Sequence, residues 1–272
     1  MASEANSGSQ RLVQVTVAPL FATPSCLAEQ VTQASLAAPV ELLEGRRGWA
    51  RVRMADGYEG WLRAADLVPV PDGWNAPFVE IRDLWASLRP APDFRAAPLA
   101  MATIGAQLPL AGAREGWTGI RLPNRHLAWV ESHRVRAAEG RRGTDARAIL
   151  RTARRFLGVP YLWGGCTPLG LDCSGFVQLV FRLHGILLPR DAAPQSQSGA
   201  PIPAAEELPA DLAFFEANGK VTHVGIVLGN GRMLHAAGGD RVRTDTLRGL
   251  RYGARLLGFR RVLPPGHSTG GR

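Results

Sequence analysis

The stretch LDCSGF, residues 171–176, sets a cysteine between an aspartate and a serine, with a glycine following. A cysteine so placed reads four ways: core thiol, disulfide partner, metal ligand or nucleophile. The residues from it onward, CSGFVQLVFRLHG, have helical periodicity. Phe176, Val177, Val180, Phe181 and His184 share a face, and Gly185 ends the run. Cys173 stands in the first turn, ahead of the apolar stripe. Backbone N–H groups and the helix dipole favour a thiolate there. A glycine-rich loop, VPYLWGGCTPLGLD, precedes it. The placement predicts a thiol presented at a surface cleft.

A thiolate nucleophile needs a base within hydrogen-bond reach, and the base needs an orienting group. The chain has six histidines. His126 and His133 fall among N-terminal β segments, His184 on the inner face of the cysteine helix, and His267 in the C-terminal tail. His223 and His235 fall on adjacent strands, HVGIVLG and GRMLHAA, equidistant from Gly229 in a GNG turn. Residues so spaced oppose one another across a hairpin, or sit a residue or two out of register. Neighbouring imidazoles can act as a base and the partner that fixes its tautomer. Packed sheet histidines or a pair of metal ligands are the alternatives. No third ligand stands at a recognisable metal spacing, so neither metal nor cofactor is expected.

The elements that hold these residues divide by periodicity. GWARVRMADGYEGWL from Gly48 is echoed by GWTGIRLPNRHLAWV from Gly116. Trp49 aligns with Trp117, Val52 with Ile120, Arg53 with Arg121, Trp61 with Trp129 and Leu67 with Val135, all at an offset of 68. Short strands and Gly, Pro and Asp turns surround both copies, which predicts two small β-barrels over residues 11–70 and 74–137. After the linker AAEGRRGT the pattern turns helical. In TDARAILRTARRFLG, Ala146, Ile149, Leu150, Ala153, Phe156 and Leu157 form a stripe. Thr144 or Asp145 can cap it, and Gly158 and Pro160 end it. Later segments, 211–215, 223–229, 231–237 and 255–262, read as strands. The third domain, 144–264, is thus α+β, helices first and antiparallel sheet after. Residues 1–10 and 265–272 read as disordered tails.

The totals exclude several classes. The chain has 272 residues and a net charge of +9, and Lys220 is its single lysine. Its arginines are scattered, with no basic arm, so nucleic acid is not an expected partner. No apolar run is long enough to span a membrane, and no signal peptide is visible. The simplest expectation is a cytoplasmic monomer; a trimmed N-terminus would leave a periplasmic or secreted protein open. The three cysteines, Cys26, Cys166 and Cys173, are too few for a disulfide framework.

The repeated G-W-x-x-V … G-W-L pattern resembles bacterial SH3-like domains. The combination GVPYLWGG…LDCSGFVQLVF…LPRDA with DLAFF…VTHVGIVLGNGRMLHA resembles the NlpC family of papain-like cell-wall cysteine peptidases over residues 144–263. The two upstream barrels match the subgroup that cleaves γ-D-glutamyl–diamino acid bonds in murein peptides. The resemblance implies Cys173 as nucleophile, His223 as general base and His235 as the polar residue that orients it. It implies that the N–H of Cys173, with Tyr161 alongside, holds the oxyanion. It sets Asp172, Ser174 and Asp191 at the substrate pocket, although Asp172 also reads as a helix cap and Asp191 as a turn residue. It makes Tyr58 and Glu29 candidates for holding a free N-terminal ammonium. Cys166 stands where this loop usually has a small polar residue, and reads as inert or as a disulfide partner for Cys173 under oxidation.

The expected activity is hydrolysis of the bond between D-glutamate and meso-diaminopimelate in short murein peptides with a free L-Ala terminus, in cell-wall recycling. The rivals are an exported murein hydrolase, a muramyl–L-alanine amidase or a lipid acyltransferase on the same fold, and a non-catalytic murein-binding protein.

Overall fold

The computed structural model describes residues 9–75, 77–139, 143–248 and 255–263. The chain separates into two compact units, residues 1–140 and 141–272.

The N-terminal unit is built from short antiparallel strands. Its first half holds β1 (Ser9–Val13), β2 (Val17–Phe21), β3 (Gln30–Ser35), β4 (Pro39–Arg46), β5 (Trp49–Met54), β6 (Glu59–Arg63) and β7 (Leu67–Pro69). They join in the order β3-β2-β6-β5-β4-β1-β7. Leu20, Val52 and Leu62 alternate inward and form its core. The second half holds β8 (Phe78–Ile81), β9 (Trp85–Leu88), β10 (Ala100–Thr103), β11 (Gln107–Arg114), β12 (Trp117–Arg121), β13 (Leu127–Glu131) and β14 (Val135–Ala137). Five of these run in the order β13-β12-β11-β8-β14, and β9 and β10 form a separate pair. Ile81, Leu88, Ile120 and Val130 fill this second core. Leu36 and Ala37, from the turn before β4, pack into it as well, so the two halves share apolar surface.

The offset of 68 reaches beyond the aligned residues. It carries β4 onto β11, the start of β5 onto that of β12, the start of β6 onto that of β13, and β7 onto β14. Ser9 and Gln10, expected in a disordered tail, instead pair with Leu42 and Glu41 in β1. Ladder bonds use the backbone, so a strand can outrun its apolar pattern. The expected disorder of residues 1–8 and 265–272 lies outside the described residues.

The C-terminal unit begins with α1 (Ala146–Arg154), capped by the Asp145 carboxylate, which accepts the Ala148 N–H at 2.9 Å. This helix stops before the expected Gly158. Phe156 still reaches the core, whereas Leu157, expected on the same stripe, is 50% exposed because the chain has left helical phase. A small hairpin, β15 (Cys166–Thr167) and β16 (Gly170–Leu171), leads into α2 (Cys173–Arg182), and α3 (Ala192–Gln195) follows. Then come β17 (Ala200–Ile202), β18 (Leu212–Ala217), β19 (Lys220–Gly229), β20 (Arg232–Ala236), β21 (Val242–Thr246) and β22 (Arg255–Arg261). The antiparallel sheet has the order β17-β22-β18-β19-β20-β21. The helix α2 packs on β19 and β20. Every residue from Cys173 to Phe181 is buried, so α2 is enclosed all round, not along one stripe.

His184, read as part of the apolar face of α2, is a satisfied buried histidine beyond its end. One ring nitrogen meets the Gly143 carbonyl at 2.5 Å and the other meets Thr152 Oγ1 at 2.8 Å, which ties α2 to α1. Among the described residues no helix is long and apolar enough to cross a membrane.

Candidate active site

The LDCSGF motif makes the start of α2. Asp172 is the N-cap, its Oδ1 accepting the Gly175 N–H at 2.7 Å. The glycine after Ser174 answers a steric need. A Cβ at 175 would lie 2.1 Å from the Gly165 carbonyl oxygen, so the glycine loop presses on the first helical turn there. That contact helps bury Cys173, which is 8% exposed.

The structure thus buries the thiol that was expected at a surface cleft. Burial pushes the Cys173 thiol up to about 12, and the neighbouring Asp172 carboxylate pushes the same way. Hydrogen bonds from the N–H groups of Val224 and Ser174, and the charge of Arg190, oppose the rise without cancelling it. The dipole argument fails here because α2 begins inside the unit, where desolvation outweighs a helix terminus.

Val224 follows His223 in β19, so the sulfur sits against the strand that carries the first imidazole. His223 Nε2 lies 2.6 Å from His235 Nδ1, and the rings meet edge-on with centroids 4.8 Å apart. The two strands pair Ile226 with Leu234 and Val227 with Met233. One further step sets His235 across from Gly225. The histidines are therefore diagonal on one face, two residues from direct opposition. Gly225 makes the diagonal possible, because a Cβ there would come 2.8 Å from Met233 Sδ and 3.2 Å from His235 Cβ.

The chain of contacts continues past the second imidazole. His235 Nε2 meets Asp245 Oδ2 at 3.1 Å. Arg243 grips the same oxygen through Nε at 3.0 Å and Nη2 at 2.7 Å. Burial lowers His223 to about 3, with the adjacent His235 reinforcing the shift. Burial also lowers His235, against the pull of Asp245. Burial works to raise Asp245, but hydrogen bonds from Arg243 and His235 hold it below the usual carboxylate range. Burial thus favours the uncharged form of Cys173 and of His223, beside an anionic anchor at Asp245. An imidazole placed next to a thiol can take its proton.

The remaining expected residues fall in several places. Tyr161 is half-buried; desolvation first, then Cys173 and Asp172, raise its phenol, which sets it beside the sulfur. Asp172 and Ser174 are buried, and Arg190 donates to both. The cap reading of Asp172 is realised, with both carboxylate oxygens engaged inside the protein. Asp191 is exposed; its carbonyl opens α3 by accepting the Gln195 N–H at 3.0 Å. Tyr58 lies between β5 and β6, its N–H on Asp56 Oδ1, and Glu29 immediately precedes β3; both belong to the N-terminal unit. Cys166 is buried and in no disulfide, Cα-paired with Leu171. Among the described residues no three His, Cys, Asp or Glu side chains group as a metal site.

The sequence reading missed Asp245, Arg243 and Arg190. For the first, the signal was available: β21 pairs with β20 through His235–Arg243 and Met233–Asp245. Carrying the hairpin argument one strand further reaches the carboxylate. Nothing in spacing alone points from Arg190 back to Asp172.

The family model described as NlpC/P60 family matches residues 158–261. The model described as bacterial dipeptidyl-peptidase Sh3 domain matches residues 20–67. A protein of Bacillus cereus (strain ATCC 10987 / NRS 248), named gamma-D-glutamyl-L-lysine dipeptidyl-peptidase, is 31% identical over 251 residues, covering 86% of this chain and 75% of the relative. The chain belongs to the NlpC/P60 family. A protein of the same name from Bacillus subtilis (strain 168) is 32% identical over 209 residues, covering 75% of the chain and 69% of that relative. A crystal structure of an NlpC/P60 family protein from Bacillus cereus ATCC 10987 superposes with a TM-score of 0.86 at 26% identity, covering 94% of this chain and 100% of that one. The chain is a cell-wall cysteine peptidase, a hydrolase, of the NlpC/P60 family with an SH3-like N-terminal domain.

Proposed function

We propose that this NlpC/P60 peptidase hydrolyses the γ-D-glutamyl–diamino acid bond of murein peptides, with Cys173 as nucleophile, His223 as general base and His235 as its orienting partner. The observation that carries the assignment is the His223–His235–Asp245 hydrogen-bond chain, borne in part by β19, the strand on which the Cys173 helix packs. The sulfur attacks the γ-carbonyl of D-glutamate as its proton passes to His223. The N–H of Cys173 has no intrahelical acceptor as the first residue of α2, and it receives the oxyanion with Tyr161 alongside. His223 then gives its proton to the departing amine, leaving a thioester. Water attacks the thioester carbonyl, giving a proton to His223, which returns it to the sulfur.

The diamino acid expected from the sequence is meso-diaminopimelate. The names of the two Bacillus relatives favour a second reading, L-lysine. The two differ in a carboxylate remote from the bond that breaks, so both belong in the test. Ser174 and Asp191 are assigned to the substrate pocket, with Asp172 at its base. Selection of short peptides with a free L-Ala terminus would suit a role in recycling inside the cell; fractionation of the producing cells tests that location. We also infer that residues 74–137 are a second SH3-like domain, from the repeated order of elements at the offset of 68.

The test is incubation with L-Ala-γ-D-Glu-meso-diaminopimelate and L-Ala-γ-D-Glu-L-Lys, with products identified by mass. Release of L-Ala-D-Glu and the free diamino acid is expected, and Cys173→Ala should release neither. Cleavage by Cys173→Ala refutes the nucleophile. Intact tripeptide alongside cleaved muramyl peptide makes the enzyme an amidase.

A further inference from the structure

Arg190 stands in LPRDA, seven residues beyond the end of α2's capping turn at Leu183. It is 3% exposed. A guanidinium is costly to bury unless its donors are matched. Here Nη2 donates to Asp172 Oδ2 at 2.6 Å, and Nη1 donates to Asp172 Oδ1 and to Ser174 Oγ, each at 3.1 Å. Those two partners are the residues immediately before and after Cys173. A second tie comes from the same segment: Gln195 Nε2 donates to the Ser174 carbonyl at 3.1 Å and to the Pro189 carbonyl at 2.8 Å. Residues 189–195 thus hold the first turn of α2 from outside the helix, at both neighbours of the sulfur.

We propose that Arg190 is a positioning residue for the hydrolysis: its fork fixes the residues on either side of Cys173 and offsets the Asp172 charge beneath the sulfur. The inference rests on reading Cys173 as the nucleophile. Around the sulfur stand Asp172 from the cap, Arg190 from the segment after α2, Tyr161 from the preceding loop, and the N–H groups of Val224 and Ser174, with His223 beside Val224. Around Arg190 stand Asp172, Cys166 and Asp191. Asp172 raises the thiol and Arg190 lowers it, so the two charges act on the sulfur in opposite directions. Arginine suits the task because its planar fork spans two oxygens and the neighbouring hydroxyl. A lysine would keep the charge and lose that geometry.

The experiment reads the rate of Cys173 alkylation by iodoacetamide at a fixed pH near 8, together with kcat and KM on the tripeptides, in Arg190→Met, Arg190→Lys and the double variant Asp172→Asn/Arg190→Met. Folding of each is checked by circular dichroism. Arg190→Met should slow alkylation by up to about tenfold. Its kcat should fall, with KM changed by less than about threefold. The double variant, lacking both charges, should return the alkylation rate towards that of the unaltered protein. Arg190→Lys should keep the alkylation rate and lose kcat. If Arg190→Met does not fold, the double and lysine variants decide. An unchanged alkylation rate or an unchanged kcat in folded Arg190→Met overturns the proposal. So does full kcat in Arg190→Lys, or alkylation in the double variant about tenfold away from that of the unaltered protein. The alkylation pattern is read without substrate. If it appears in a protein that cleaves no murein peptide, the proposed function fails and the role of Arg190 at Cys173 stands.

Discussion

At the scale of single residues, the site is governed by burial. Cys173 and His223 both lose water, and each is pushed towards its neutral form. That cost falls on each group taken singly, and a thiolate facing an imidazolium offsets part of it. The group that makes this workable is Asp245. It accepts from His235 and is locked by Arg243, which fixes the tautomers of both rings through one line of hydrogen bonds. Asp245→Asn keeps the shape and removes the anion that stabilises the protonated pair. Its kcat should fall by roughly tenfold to hundredfold with little change in KM. Steady-state kinetics on the tripeptides checks this, and an unchanged kcat would confine the catalytic chain to two histidines.

At the scale of elements, two close approaches shape the site. The first is the glycine loop against the start of α2, and the second is β19 against β20 at the diagonal histidines. Each depends on a residue without a side chain. At Gly175 an added methyl meets a backbone oxygen, which cannot swing aside as a flexible side chain would. At Gly225 it meets the thioether of Met233, which can partly yield, and the Cβ of His235, which cannot. Gly175→Ala should therefore cost about 1–3 kcal/mol in a urea melt. Gly225→Ala should cost less stability and more activity, because the shift falls on His235. Comparing ΔG of unfolding with kcat for the two variants separates the effects. Equal losses of both quantities in both variants would show that the strand pair does not tune the site.

At the scale of the whole molecule, the buried imidazoles couple stability to pH. An unfolded chain binds a proton on His223 near pH 6.5, whereas the native chain resists it down to about 3. A lowered folded-state value means the stabilisation is complete above the unfolded value and is lost as pH falls through that window. The Cys173 thiol acts at the other end. Its native value near 12, above the ordinary thiol value of 9.0, means stability declines as pH rises between the two. Thermal melts across pH should give a plateau bounded by these declines, and His223→Gln should flatten the acid side. Much of this molecule was legible in its residues. The offset of 68, the α1 cap at Asp145, the strand segments of the C-terminal unit and the pairing of His223 with His235 all rest on local periodicity and hairpin symmetry, which neighbours along the chain determine. What the tertiary structure decided is the environment of those groups. The burial of Cys173 comes from a loop pressed on Gly175 and a sheet beneath α2. The Asp245 anchor comes from a third strand, and the Arg190 fork comes from a segment that returns to the helix it left. Dielectric, partner and charge at a site are set by residues distant in sequence, so spacing alone picked out the thiol and the two imidazoles without the surroundings that set their protons.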